Sequence, residues 1–351
     1  MTFSINTFTL NNFLAICAVI FSSVLNSGCS TKIGYLVTSM ANPLAVNYIK
    51  LDNGTRSSYY TYQVGQGEPD IILFFIPGSG CTSLKYYLKP YLSHLTGSVR
   101  VYALQKRNLE NTNIGLFDCD KAFLDTDHFS QWIIDNKRFV EEISRTLHYE
   151  NKTIVLLGIS EGGNVAAAIA ATTPVISHLA ILGSGGMKQI EELKLLVKKS
   201  GVNANIDDIF KTILKDPTNT EKTVYGQTYK YWNSVAYVDP MKFYATLDIP
   251  IFVGIGESDK SVPVESAIAL HDYFENHQKS NLTLCIYQHA DHALIDSNGI
   301  SHRSHFLTTM TRWVNKTVAV RTRAPSYFLH DGEYTPADIL NSDDELFVRC
   351  R

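Results

Sequence analysis

Apolar residues in this chain gather into short unbroken runs, separated by longer stretches in which they recur every three or four positions. The runs are Ile71–Ile76 (IILFFI), Val99–Leu104 (VRVYAL), Thr153–Leu157 (TIVLL), His178–Leu182, Ile249–Ile255 and Leu282–Tyr287. Runs this short, rich in β-branched and large apolar residues, predict strands covered on both faces. Between them, Phe129–Leu147 carries Phe129, Ile133, Phe139, Val140, Ile143 and Leu147 at helical spacing, and Asn164–Ala171 is an Ala-rich helix former. Ser301 opens a closing helix through about Val314. Buried strands alternating with helices predict an α/β fold with a mainly parallel sheet flanked by helices.

Composition adds limits. With 351 residues, 45 % hydrophobic and 19 % charged, the chain can bury a sizeable core as one large domain or two smaller ones. A net charge of −3 without a long Lys/Arg run argues against a nucleic-acid partner. Phe13–Leu25 (FLAICAVIFSSVL) is apolar but too short to span a bilayer comfortably, and no other segment approaches it, which excludes a polytopic membrane protein. The run ends in Asn26-Ser27-Gly28-Cys29, the build of a secretory signal over residues 1–28. Small residues followed directly by Cys resemble the bacterial lipoprotein box. That resemblance implies lipidation of Cys29 and an exported chain, periplasmic or membrane-anchored.

Of the six cysteines, Cys17 lies in the apolar run and Cys29 at the expected cleavage point. Cys81, Cys119, Cys285 and Cys350 remain, and no Cys or Cys/His spacing suggests a zinc site. Export to an oxidising compartment makes pairs among these four possible, with connectivity left open by the spacing.

The sharpest motif is a strand running into Gly158-Ile159-Ser160-Glu161-Gly162-Gly163 and then a helix. A G-x-S-x-G pentapeptide gains weight from this context. A nucleophilic Ser on a strand-to-helix elbow has a strained backbone that neighbouring glycines relieve, and the helix aims free amides at the reacting atoms. A phosphate loop is excluded because the Gly-Lys-Ser/Thr ending is absent. The alternative is a Gly-rich turn without chemistry. After Ser160, Asp259 follows strand Ile249–Ile255 and His292 follows strand Leu282–Tyr287. Ligand crevices of open α/β sheets lie at the carboxyl ends of the strands, so Ser, Asp and His converge there as nucleophile, orienting acid and base.

On these residues the chain, over about 45–315, resembles an α/β-hydrolase of the esterase/peptidase type. The resemblance implies Ser160 as nucleophile, Asp259 as the acid and His292 as the base. Pro77-Gly78-Ser79-Gly80 resembles the oxyanion loop, with Pro77 where the family usually has His. Its amide donors are then Ser79 or Gly80, together with the amide of Glu161. Cys81 follows this loop and Cys119 lies in the excursion after the neighbouring strand, so these two are expected to pair. Cys285, inside a core strand, is expected to stay a reduced apolar residue.

Rival roles exist. His289 is an alternative base. His289, Asp291, His292, His302 and His305 are metal-ligand types, but His302 and His305 read better as a solvated first helical turn and Asp291 as a hydrogen-bonding loop residue; no metal and no cofactor are expected. The Glu161 carboxylate suits a helix N-terminus and could also touch a substrate amine.

Residues 29–182 and 249–317 read as the two parts of the core. The stretch 183–248 is too long for a bare crossover, with helical patterns at Glu191–Lys199 and Ile206–Leu214. It reads as a helical lid insertion whose Tyr229, Tyr231 and Trp232 are candidates for lining the substrate pocket, or for gluing the lid to the core. The extension 318–351 carries no functional signal. An esterase acting on a small-molecule ester leads. A peptidase or amidase taking a peptide-like substrate with the same triad is the alternative, and a non-catalytic surface lipoprotein is third.

Overall fold

The computed structural model describes residues 43–51, 54–114, 119–149, 152–323 and 347–351. The first half forms β1 (Asn47–Lys50), β2 (Arg56–Val64), β3 (Ile71–Ile76), α1 (Leu84–Tyr91), β4 (Val99–Leu104), α2 (Lys121–Leu124), α3 (Phe129–Thr146), β5 (Thr153–Ile159), α4 (Glu161–Ala170) and β6 (His178–Leu182). Next come α5 (Gln189–Ser200), α6 (Ile206–Ile213), β7 (Thr223–Val224), β8 (Gln227–Thr228), α7 (Tyr229–Val235) and α8 (Met241–Tyr244). The chain closes with β9 (Ile251–Gly256), α9 (Val264–Asn276), β10 (Leu282–Tyr287), α10 (Arg303–Arg323) and β11 (Val348–Cys350).

Nine strands make one sheet in the order β1-β2-β4-β3-β5-β6-β9-β10-β11. The stretch from β4 to β10 is parallel throughout, while β1, β2 and β11 pair antiparallel at the two edges. Every residue of β3 is buried because the sheet has a core on each face. Ile72, Phe74 and Ile76 pack with α3, α4 and α9, whereas Ile71, Leu73 and Phe75 pack with α1 and α10. This two-sided burial is why the central strands read as unbroken apolar runs.

The antiparallel edges were not visible as strands in the sequence. β2 (RSSYYTYQV) is mostly half-buried, and β11 has three residues near the chain end. β11 pairs with β10 in a register that sets Cys350 opposite Cys285, and the two are bonded. The expectation of a reduced Cys285 is therefore wrong: its strand has a further neighbour, contributed by the extension after α10. Cys81 and Cys119 are bonded as expected. Two disulfides among the described residues accord with an oxidising compartment. Cys29 and the rest of residues 1–42 lie outside the described residues.

The segment between β6 and β9 holds four helices, α5 to α8, and the antiparallel β7–β8 pair. Ile190, Ile206, Phe210, Tyr231, Trp232 and Tyr244 join the core on the α4 face of the sheet.

Candidate active site

β5 ends in the elbow at Ser160, whose φ of 54° is a left-handed value that an L-residue holds only under strain. Three glycines make the bend possible by close approach. A Cβ on Gly158 would sit 2.3 Å from the Gly162 carbonyl oxygen, one on Gly162 2.3 Å from that of Pro77, and one on Gly163 2.7 Å from Ser184 Cβ. The Ser160 amide donates to the Leu182 carbonyl at 2.8 Å, which ties the elbow to the end of β6. α4 starts at Glu161, whose amide has no carbonyl one turn back to receive it and faces outward at the positive end of the helix.

Asp259 follows β9 and His292 follows β10, and the two meet: His292 Nδ1 lies 2.7 Å from Asp259 Oδ2. The Asp259 side chain is fully buried, and its Oδ1 accepts the amides of Ser261 at 2.8 Å and Val262 at 2.9 Å. The turn after β9 thus fixes the carboxylate and the carboxylate fixes the imidazole. Gly183 backs the pair, since a Cβ there would stand 3.1 Å from His292 Cε1. Its position directly after β6 was the available signal for it, and the sequence reading passed over it.

Ser160 and His292 line one cavity of about 490 Å³, together with Gly78, Ser79 and Gly80. A Cβ on Gly78 would be 3.2 Å from Ser160 Cβ, so this loop lies directly against the serine. Among the described residues, the amides of Ser79 and Gly80 donate to no protein group. Likewise no hydrogen bond joins Ser160 Oγ to His292, a link that commonly tightens only when substrate is bound.

The cavity is also lined by Tyr86, Tyr87 and Tyr91 of α1, and by Lys106, Leu109 and Ile114. None of Tyr229, Tyr231 and Trp232 lines this cavity. Tyr231 and Trp232 are buried; Trp232 stacks edge-on against Phe210 and donates its Nε1–H to the Val224 carbonyl at 2.7 Å. The aromatic density of that segment serves packing. The α1 tyrosines were missed because a helix of Tyr, Lys and Leu reads as an ordinary amphipathic surface helix.

The rival roles resolve as well. The His289 side chain is 72 % exposed and faces Glu257 at 3.4 Å, so it is not placed to serve Ser160. Asp291 Oδ1 accepts the amides of Ala293 and Ile295 at 2.9 Å each, the role of a loop residue. His302 and His305 are not a solvated turn. His302 is buried, 3.1 Å from Asp296 Oδ2 and stacked on Phe347, while His305 Nδ1 sits 3.0 Å from the Tyr287 hydroxyl. Phe347, directly before β11, is what packs on both.

Two buried acids flank the site. Glu192 of α5 accepts from Ser266 Oγ at 2.6 Å. Burial pushes its carboxyl up to about 8, against the pull of that hydrogen bond and helped by the negative charge of Asp259. Glu161 is buried beside Ser160. Burial pushes its carboxyl up to about 7, with Lys106 pulling it down and Asp127 pushing it further up.

The BD-FAE family profile matches residues 110–274, a span that holds Ser160 and Asp259 and stops short of His292. Among curated proteins, none matches this chain. The fold is similar to that of a thermostable carboxyl esterase from Bacillus coagulans (TM-score 0.55, 16 % identity, 78 % of this chain and 98 % of that one). It is similar also to Est1E from Butyrivibrio proteoclasticus (0.51, 16 %, 80 % and 99 %). An acylaminoacyl peptidase from Pyrococcus horikoshii matches over 87 % of this chain and 45 % of its own (0.51, 12 %). These likenesses establish the α/β-hydrolase fold.

Proposed function

We propose that this α/β-hydrolase-fold protein is a serine hydrolase that cleaves a carboxylic ester through an acyl-enzyme intermediate. The observation that carries the reading is the His292–Asp259 hydrogen bond of 2.7 Å, set beside a strained Ser160 that opens onto the same cavity as His292. Ser160 Oγ attacks the substrate carbonyl as His292 Nε2 takes its proton. Asp259, on Nδ1, holds the imidazole in the tautomer that leaves Nε2 free and stabilises its cationic form. Amides of Ser79 or Gly80 and of Glu161 receive the charge that develops on the carbonyl oxygen, each worth about 3–4 kcal/mol in such sites. His292 then returns the proton to the leaving alcohol, and water repeats the sequence on the acyl-serine.

An ester is put before an amide on the fold likeness to two esterases. A peptidase or amidase is the second reading, supported by the fold likeness to the acylaminoacyl peptidase. Export completes the proposal: the apolar segment before Cys29 directs the chain out of the cytoplasm, and lipidated Cys29 anchors it. Two disulfides support an extracytoplasmic site.

The test is labelling with a fluorophosphonate, followed by a panel of nitrophenyl esters and aminoacyl amides. Ser160 should carry the label and esters should turn over faster than amides. An unlabelled Ser160, or Ser160→Ala with near-normal activity, would overturn the reading.

A further inference from the structure

Next to Ser160, the carboxyl groups of Asp127 and Glu161 both feel the Lys106 ammonium. Lys106 Nζ lies 3.2 Å from Asp127 Oδ1 and 3.9 Å over the Trp132 ring, with both charged side chains nearly inaccessible (6 % and 5 % exposed). The Glu161 carboxyl faces the same ammonium from the first residue of α4. Both its oxygens are buried, with the Tyr231 phenol approaching them, and Asp127 Oδ2 is buried without a hydrogen-bond partner. The facing groups come from every element around it: Lys106 after β4, Asp127 before α3 and the Tyr231 phenol from α7. Gln189 of α5 approaches Tyr231, and beyond Asp127 stand His128 and Lys230. With Lys106 and Asp127 already neutralising each other, an ionised Glu161 would leave one uncompensated buried charge next to Ser160, which is costly.

Resting on the serine-hydrolase reading, we propose that Glu161 is a positioning residue whose carboxyl must hold its proton for full turnover. A neutral Glu161 leaves the positive end of α4 and the amides of the elbow free to stabilise the oxyanion. An ionised Glu161 sets a negative charge one residue from the nucleophile, where it opposes the charge that develops in the transition state. The position of the carboxyl in the chain, immediately after Ser160, gives the proton its leverage. Burial, which pushes Glu161 up to about 7, places the change in the neutral range. The enzyme then has an alkaline limit: activity falls in base, where Glu161 has lost its proton.

The experiment is the pH profile of kcat/KM on an uncharged nitrophenyl ester for wild type, Glu161→Gln and Asp127→Asn, each checked for folding by circular dichroism. The wild type should lose activity by roughly tenfold on the alkaline side, through transition-state rather than ground-state binding. Glu161→Gln should lose the alkaline limb. Burial does most to keep Glu161 protonated and the Asp127 charge adds to it, so Asp127→Asn should move the alkaline limb to lower pH. That shift decides the matter even if Glu161→Gln fails to fold. A wild type without an alkaline limb, a Glu161→Gln limb like that of wild type, or an unmoved limb in Asp127→Asn would overturn the inference. Fluorophosphonate labelling of wild type at pH 6 separates the two claims. If Ser160 takes label and the limbs behave otherwise, only the role of Glu161 falls; if Ser160 takes none, the hydrolase reading falls and this inference with it.

Discussion

Asp259 divides its carboxylate between His292 and its own loop, one oxygen 2.7 Å from the imidazole Nδ1 and the other held by the amides of Ser261 and Val262. The division makes a substitution informative. Asp259→Asn keeps an acceptor oxygen for the two amides but turns an NH₂ group toward His292, which favours the wrong imidazole tautomer. The fold should survive while kcat on nitrophenyl esters drops by about three to four orders of magnitude. A loss below tenfold would show that Asp259 does not orient the base.

Glu192 ties α5 to Ser266 of α9, and its carboxyl is favoured in the protonated form, at about 8 against an ordinary 4.5. The stability conferred by that raised value is fully present below 4.5 and is lost as pH rises through about 8. Glu192→Gln keeps an acceptor for Ser266 and removes the ionisation. At pH 5 its melting temperature should be close to that of wild type. At pH 9 it should exceed wild type by on the order of 5 °C, read by differential scanning calorimetry.

The Cys81–Cys119 bond closes a separation of 38 residues and starts one residue after Gly80, so it braces the loop against Ser160. Replacing both cysteines by Ala should cost about 3–4 kcal/mol of stability in the chain-entropy picture. It should also lower kcat more than it raises KM, because the amides of Ser79 and Gly80 lose their fixed position. Denaturant titration and steady-state kinetics read the two effects separately.

Cys285–Cys350 does a different job, anchoring β11 and, through Phe347, the cover over His302. The double substitution to Ala should release the chain end to carboxypeptidase. It should leave fluorophosphonate labelling of Ser160 intact, since β11 contributes nothing to the cavity wall. Loss of labelling in a folded variant would tie the edge strand to the site.

Local order carried most of the fold into the sequence. Ile71–Ile76, Thr153–Ile159 and Ile251–Gly256 are buried along their whole length apart from Thr153, and burial on both faces writes itself as a run without polar interruption. The elbow was legible for a similar reason. Gly158 and Gly162 approach backbone of the turn itself and of the end of β3, and Gly163 approaches the side chains of Ile181 and Ser184 at the end of β6, so the requirement is inscribed in the three glycines themselves. β2 and β11 escaped notice because edge strands are only partly covered and need no apolar run.

What the sequence determined by itself, then, was the set of two-sided strands, the strained turn at Ser160 and the order in which Ser160, Asp259 and His292 leave separate strand ends. Each follows from contacts a residue makes with its near neighbours or with the sheet as a generic surface. Tertiary structure alone decided that Tyr86, Tyr87 and Tyr91 wall the cavity while Tyr231 and Trp232 pack the core. It also decided that Cys285 finds Cys350, and that Glu161 faces Lys106 and Asp127 rather than water. Those outcomes depend on which distant segments meet, and the side chains involved look the same in the sequence whether they meet a partner, a cavity or solvent.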